Sequence, residues 1–172
     1  MTLTLEQISA HIEIRQCLAR YCRGVDRRDI KLLKSVYHPD ATDNHGTFNG
    51  KAHDFAEYLM NEMKDSPGFG THQVTITYIK LHGADSADTE SYYLAHHPLI
   101  DAKTGERQLL HTGGRYIDHF ERRNGEWKIA RRLCTIDWSR RHLPGETWEI
   151  QSQFVKVGAV GEDPSYTQFD LG

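Results

Sequence analysis

From Thr71 to Trp138 the chain offers four long β-rich runs: THQVTITYIKL, TESYYLAHHPLI, RQLLHTGGRYIDHFERR and EWKIARRLCTIDW. Only short turn segments separate them, HGADSAD, DAKTGE and the residues around Asn124-Gly125. Connections this short have no room for a crossover helix, so consecutive runs must pair antiparallel. The Asn-Gly dipeptide is the clearest hairpin signal in the chain. Long strands joined by tight turns twist strongly, which predicts one antiparallel, curved sheet. Gly113-Gly114, in the middle of the third run, reads as a bulge in a bent strand. It lacks the strand–loop–helix setting of a phosphate loop.

Upstream the periodicity is different. Leu5, Ile8, Ile12, Leu18 and Cys22 recur at helical spacing behind Thr4, a good N-cap, and Gly24 reads as the stop of a helix reaching about Arg23. DIKLLKSVYHPD predicts a second helix from Asp29 that ends before Pro39. ATDNHGTFNGK is rich in turn formers, and AHDFAEYLMNEMK predicts a third helix. Helices first and strands afterwards is the order of an α+β fold. The expectation is therefore a cone-shaped α+β barrel, three N-terminal helices packed on a strongly curved, mainly antiparallel sheet. Residues 1–138 would form this domain. The tail 139–172, with Pro144, Pro164 and four glycines, would be an arm packed on the same domain or on a neighbouring subunit.

Charge excludes several functions. The formal net charge is −3, and acidic residues lie among or near most of the Arg-Arg pairs, so neither nucleic acid nor an anionic membrane is an expected partner. No run approaches the ~20 apolar residues of a membrane span, and MTLTLEQISAHI does not resemble a signal peptide. Cys17, Cys22 and Cys134 form no C-x2-C pair, and an odd count argues for reduced thiols and a cytoplasmic location. The 11 histidines show neither H-x-H nor H-E-x-x-H spacing, so no metal is expected. With no dinucleotide fingerprint and no serine nucleophile elbow, no cofactor is expected either.

Within YCRGVDRRD, Asp26 falls where the apolar stripe of the first helix should still point inward. On composition and spacing alone it caps the second helix or pairs with Arg27 or Arg28. His72, which opens the first β run, is by itself a strand histidine bonded to a backbone carbonyl. Taken together, the two form a candidate acid–imidazole pair.

LARYCRGVDRRDIKLLKSVYHPDA early and GGRYIDHFERRNGEWKIARR late, in this element order, resemble the SnoaL-like branch of the nuclear transport factor 2-like superfamily, which has a cystatin-like fold. The resemblance spans roughly residues 5–138 and implies a cone enclosing a hydrophobic pocket. Three relatives share the stretches around Asp26 and His72: scytalone dehydratase, bile acid 7α-dehydratase and hexachlorocyclohexane dehydrochlorinase. The resemblance therefore implies a cofactor-independent lyase of dehydratase type, acting through a His-Asp dyad on a small hydrophobic, cyclic molecule. A ketosteroid-type isomerase and a non-catalytic binding domain for a lipophilic molecule are the alternatives. A homo-oligomer, trimer or dimer, is implied by the resemblance alone.

By position, the resemblance assigns five residues. His72 is the base, since a neutral imidazole with a pKa of about 6.5 accepts a proton readily. Asp26 fixes its tautomer and balances the imidazolium that forms. Tyr21 donates to a carbonyl or leaving oxygen, although it lies about 140° from Asp26 around an ideal helix and needs a frayed helix end to share its cavity. Of His96 and His97, strand alternation sends only one inward. His96 is chosen as the acid on its shared parity with Tyr92 and Leu94. Arg132 supplies fixed positive charge for a leaving anion; otherwise it is a surface cation or the partner of Asp137 or Glu126.

Overall fold

The computed structural model describes residues 2–142 and 153–167. Helix α1 spans Leu5–Asp26, α2 Ile30–Ser35 and α3 Ala52–Glu62. Strands β1 (Tyr37–Asn44) and β2 (Asn49–Lys51) lie between α2 and α3. The strands β3 (Thr71–Leu81), β4 (Ser86–Ile100), β5 (Arg107–Arg123) and β6 (Glu126–His142) follow, then the short α4 (Pro164–Thr167). All six strands form one sheet in the order β2-β1-β6-β5-β4-β3. The β1–β6 pair is parallel and every other neighbouring pair is antiparallel. The curved sheet is open, with β2 and β3 as its edges, so helices rather than a closing strand complete the cone.

Helix α1 packs on β3 and β6, and α3 on β1 and β2. Ile14, Cys17, Leu18 and Tyr21 of α1 meet Leu33, Phe120, Trp127 and Ile129 in the core. Each such large apolar side chain contributes about 1.5–3 kcal/mol on burial. Thr4 and Gln7 close a capping box at the start of α1, with Gln7 N donating to Thr4 Oγ1 at 3.2 Å and Thr4 N to Gln7 Oε1 at 2.9 Å. Asn124 and Gly125 both take positive φ, 55° and 83°, as a primed hairpin turn requires. The β5–β6 register slips at Gly113/Gly114, where the bulge was expected.

Three expectations need correction. The stripe Leu5, Ile8, Ile12 is exposed, and the buried face of α1 runs instead through Ala10, Ile14, Cys17, Leu18 and Tyr21. Gly24 does not stop the helix, which continues to Asp26. A Cβ at Gly24 would stand 2.9 Å from the Leu33 backbone nitrogen, so the glycine permits the close approach of α2. Helix α2 ends at Ser35, and YHPDATDN is strand β1. Pro39 and the Asp/Asn content hid that strand, yet Tyr37, His38, Ala41 and Asp43 are buried.

Of the expected C-terminal arm, residues 139–142 extend β6, while 143–152 and 168–172 lie outside the described residues. The described part lies over the α1–α2 turn. Arg27 Nε stands 3.1 Å from Asp163, Arg23 Nη1 donates to Ser165 Oγ at 2.8 Å, and Tyr166 Oη donates to Asp29 at 2.9 Å.

Candidate active site

A cavity of about 640 Å³ opens between the end of α1, the β1–β2 loop, α3 with the loop after it, and the concave face of the sheet. Val25, Phe55, Leu59, Met63, Leu110 and Ile136 give it a largely apolar wall. Against that wall stand Tyr21, Asp26, His45, His72, Tyr93 and His97.

Because α1 stays helical through its last turn, Asp26 projects toward the start of β3. One carboxylate oxygen accepts from the His72 backbone N–H at 3.0 Å, and the other accepts from His72 Nδ1 at 2.6 Å. The backbone contact fixes the strand and the ring contact fixes the tautomer. Both side chains are about one-tenth exposed. With Nδ1 taken, Nε2 of His72 has no hydrogen-bond partner among the described residues and is left for the cavity. Asp26 does not cap α2; Asp29 does, accepting from Leu32 N at 3.0 Å.

Tyr21 and Asp26 share the cavity without any fraying. The hollow reaches from the β1 side of the sheet to the β3 edge, so two side chains well separated around α1 both meet it. The Tyr21 ring packs edge-on against Tyr37 at 6.3 Å and Tyr116 at 5.4 Å. Burial keeps its phenol protonated far above the ordinary range, with Arg132 pulling the other way.

His96 is not in the cavity. The inward parity of β4 is that of Tyr93, Ala95 and His97; Tyr92 and Leu94, on which the choice of His96 rested, are 48% and 38% exposed on the convex face. There His96 packs edge-on against His111 at 4.3 Å. His97 instead stands edge-on to His72, ring centroids 5.0 Å apart. Burial, and then repulsion from His72, lower its pKa to about 4, so this second imidazole is neutral.

Arg132 is fully buried one layer behind the wall. Its Nε and Nη2 bind the two oxygens of Asp118 at 2.8 and 2.7 Å, and neither side chain is exposed. The guanidinium lies 4.1 Å from the ring centroids of both Tyr21 and Tyr116. Its partner is thus neither Asp137 nor Glu126, and it meets the cavity wall at the rings of Tyr21 and Tyr116.

The reading of the sequence missed a second acid–imidazole pair. Asp43, fully buried, binds His45 Nδ1 with one oxygen and accepts from Tyr37 Oη at 2.6 Å with the other. His45 Nε2 lies 3.3 Å from Tyr21 Oη, and the ring stacks on Phe55 at 4.3 Å. Burial disfavours charge on His45, but hydrogen bonding and attraction from Asp43, with a smaller contribution from Cys134, lift its pKa to about 9. The available signal was spacing: residues two apart at a strand end face the same way.

A helix-backed open sheet folded around an apolar hollow places the chain in the nuclear transport factor 2-like, cystatin-like class. Within that class the chain belongs to the SnoaL-like domain family, whose sequence profile matches residues 6–133. An uncharacterized protein of Mycobacterium tuberculosis (strain H37Rv) is 29% identical over 137 residues, covering 77% of this chain and 89% of that protein. Among solved structures, a type 2 hexachlorocyclohexane dehydrochlorinase (LinA) superposes with TM-score 0.74 at 21% identity, covering 86% of this chain and 98% of its own. A Novosphingobium aromaticivorans protein provisionally assigned as a scytalone dehydratase gives 0.68 at 16% identity, covering 92% and 98%. At these identities the superpositions speak for the fold.

Proposed function

We propose that the protein is a cofactor-independent lyase that removes water, or a comparable small group, from a small hydrophobic, cyclic substrate. The observation that carries this reading is the double hold of Asp26 on His72, which leaves Nε2 directed to an apolar cavity. His72 takes the proton beside an activating carbonyl, and Asp26 stabilises the imidazolium that results. Tyr21 donates to oxygen, and His97 replaces His96 as the second imidazole at the reacting end. Arg132 acts through Tyr21 rather than on the leaving group directly.

The experiment is incubation with a panel of cyclic β-hydroxy ketones, read by product mass and by solvent deuterium uptake at the acidic carbon. The expected product is lighter by one water. His72→Ala and Asp26→Asn should abolish both signals with circular dichroism unchanged; near-normal turnover in both variants rejects the assignment. The cavity also holds the two elements of a ketosteroid-type isomerase, a base and an oxygen donor, and unchanged product mass with deuterium uptake would select that activity. Binding without either signal would select a lipophilic carrier.

The same reading includes a homo-oligomer. On the convex face Tyr78, Glu90, Ile117 and Leu133 form one cross-strand row, and Leu94, Gly113 and Trp138 another. Tyr78 is 66% exposed and Trp138 50%, so this face presents apolar side chains around the Arg115–Glu90 ion pair and is open to a second copy. Sedimentation velocity reads the state directly, and a monomer at micromolar concentration would end this part of the reading. No helix among the described residues is long and apolar enough to cross a membrane. A cytoplasmic site of action remains part of the proposal.

A further inference from the structure

We infer that the Asp43–His45 pair is the proton reservoir behind Tyr21, and that the cavity accepts a substrate presenting a carbonyl or hydroxyl oxygen to Tyr21 while its C–H faces His72. This rests on the reading of His72 as the base. It adds the other half of the reaction, and it favours an oxygen leaving group over a halide.

Hydrogen bonds to Asp43 fix one end of the His45 ring. Asp43 has two oxygens and no exposure; Tyr37 Oη donates to one, and His45 Nδ1 meets the other. A buried carboxylate is retained only with such partners. Nδ1 therefore carries a hydrogen. If Nε2 carries the second, it donates to Tyr21 Oη at 3.3 Å, and the phenol hydrogen is then free to turn into the cavity.

The surroundings favour that state. Around His45, β1 contributes Asp43, α1 contributes Tyr21, β5 contributes Tyr116 and β6 contributes Cys134. Phe55 of α3 covers one ring face. Arg132 lies behind Tyr21 and Tyr116, but Asp118 holds its guanidinium in a two-pronged bond. Asp43 is thus the acid directly bonded to the ring, and it favours the cation.

The step balances without a co-reactant. The C–H proton passes to His72 Nε2, and the C–H electron pair becomes the new C=C bond. The C–O bond breaks and its electrons leave with oxygen, which takes the Tyr21 hydrogen and departs as water. His45 Nε2 returns a proton to Tyr21 Oη. Solvent then removes the proton from His72 and restores the one on His45. His45 is here a positioning residue, because it acts through Tyr21.

The test uses the whole chain with 4-nitrophenol, whose phenolate mimics a developing oxyanion and whose colour reports ionisation. Wild type should bind the phenolate form at pH 7.5, and the binding should weaken as pH rises through about 9, where His45 loses its proton. Tyr21→Phe and His45→Gln should each weaken phenolate binding about tenfold or more, the scale of one charge-assisted hydrogen bond. Because His45→Gln leaves Asp43 buried without its cation, the double variant Asp43→Asn/His45→Gln serves as the control for folding, with the same loss expected.

The ¹⁵N shifts of His45 in wild type give a second readout that no misfolded variant can obscure. Both ring nitrogens should show the imidazolium pattern at pH 7. A neutral pattern there, unchanged affinity in the folded double variant, or no phenolate binding by wild type overturns the inference. His96→Gln, on the convex face, should leave phenolate affinity within about twofold. If His72→Ala and Asp26→Asn keep turnover while phenolate binding in wild type, Tyr21→Phe and the double variant behaves as stated, the base assignment fails and the oxygen site stands.

Discussion

Asp26–His72 and Asp43–His45 pair the same two kinds of side chain, at opposite ends of one cavity, yet they are wired differently. Asp26 spends both oxygens on a single residue, the ring and backbone of His72, and leaves the far nitrogen to the cavity. Asp43 divides its oxygens between Tyr37 and His45, and the far nitrogen of His45 is already engaged by Tyr21. A histidine whose second nitrogen is open can take a proton from a ligand. One that is capped at both ends, beside a fully buried carboxylate, is suited to hold a proton. The difference between base and acid thus lies less in the pair than in what the remaining nitrogen meets.

The largest expected effect tests this asymmetry. His72→Ala should reduce turnover by about 10²–10⁴, the range of a positioned proton acceptor. Asp43→Asn/His45→Gln should cost about tenfold, because Tyr21 still offers its hydroxyl. Steady-state rates on any substrate found in the panel decide the order. Equal losses would mean that the two pairs do one job.

Next in size is the charge behind the wall. Arg132→Met leaves Asp118 buried without its cation, and should cost about 3–5 kcal/mol of stability in chemical denaturation. Arg132→Met/Asp118→Leu should recover most of that loss. If turnover also returns in the double variant, Arg132 serves the fold; if it stays low, the cation contributes through Tyr21.

How far these features were legible follows from what kind of signal each one leaves. Four long runs with short turns left few architectures open, and the structure has that sheet with α1 and α3 packed on it. Spacing alone favoured Asp26 as a cap and His72 as an ordinary strand histidine; the resemblance to the dehydratase relatives is what paired them. Asp43 and His45 broke nothing: they sit in a stretch whose Asn, Gly and Asp content says turn, and pairing with β2 on one side and β6 on the other makes it a strand. Long-range partners such as Asp118 for Arg132 leave no trace in spacing. The face of β4 was misread because Tyr92 and Leu94 look like core residues, whereas on this sheet the convex face also carries exposed apolar side chains.

A smaller effect separates the two faces of β4. His97→Gln alters a ring that touches His72, and should lower turnover several-fold, about tenfold at most. His96→Gln changes only the convex-face contact with His111, and should stay within about twofold of wild type. A loss in His96→Gln matched by a shift in sedimentation would place its effect at an assembly surface rather than in the cavity.

The smallest effect is on stability against pH, and here His45 and His97 act in opposite senses. His45 has a folded pKa of about 9, above the ~6.5 of an unfolded histidine, so its contribution is complete below about pH 6.5 and is lost as pH rises through about 9. His97 has a folded pKa of about 4, below the unfolded value, so its contribution is present above about pH 6.5 and is lost as pH falls toward 4. Urea midpoints should therefore fall away on both sides of about pH 6.5, each side governed by a different histidine. Asp43→Asn/His45→Gln should flatten the alkaline limb alone, and His97→Gln the acid limb alone. An alkaline limb that survives removal of His45 and Asp43 would show that the second pair is not held in its charged form, and the contrast between the two pairs would lose its electrostatic basis.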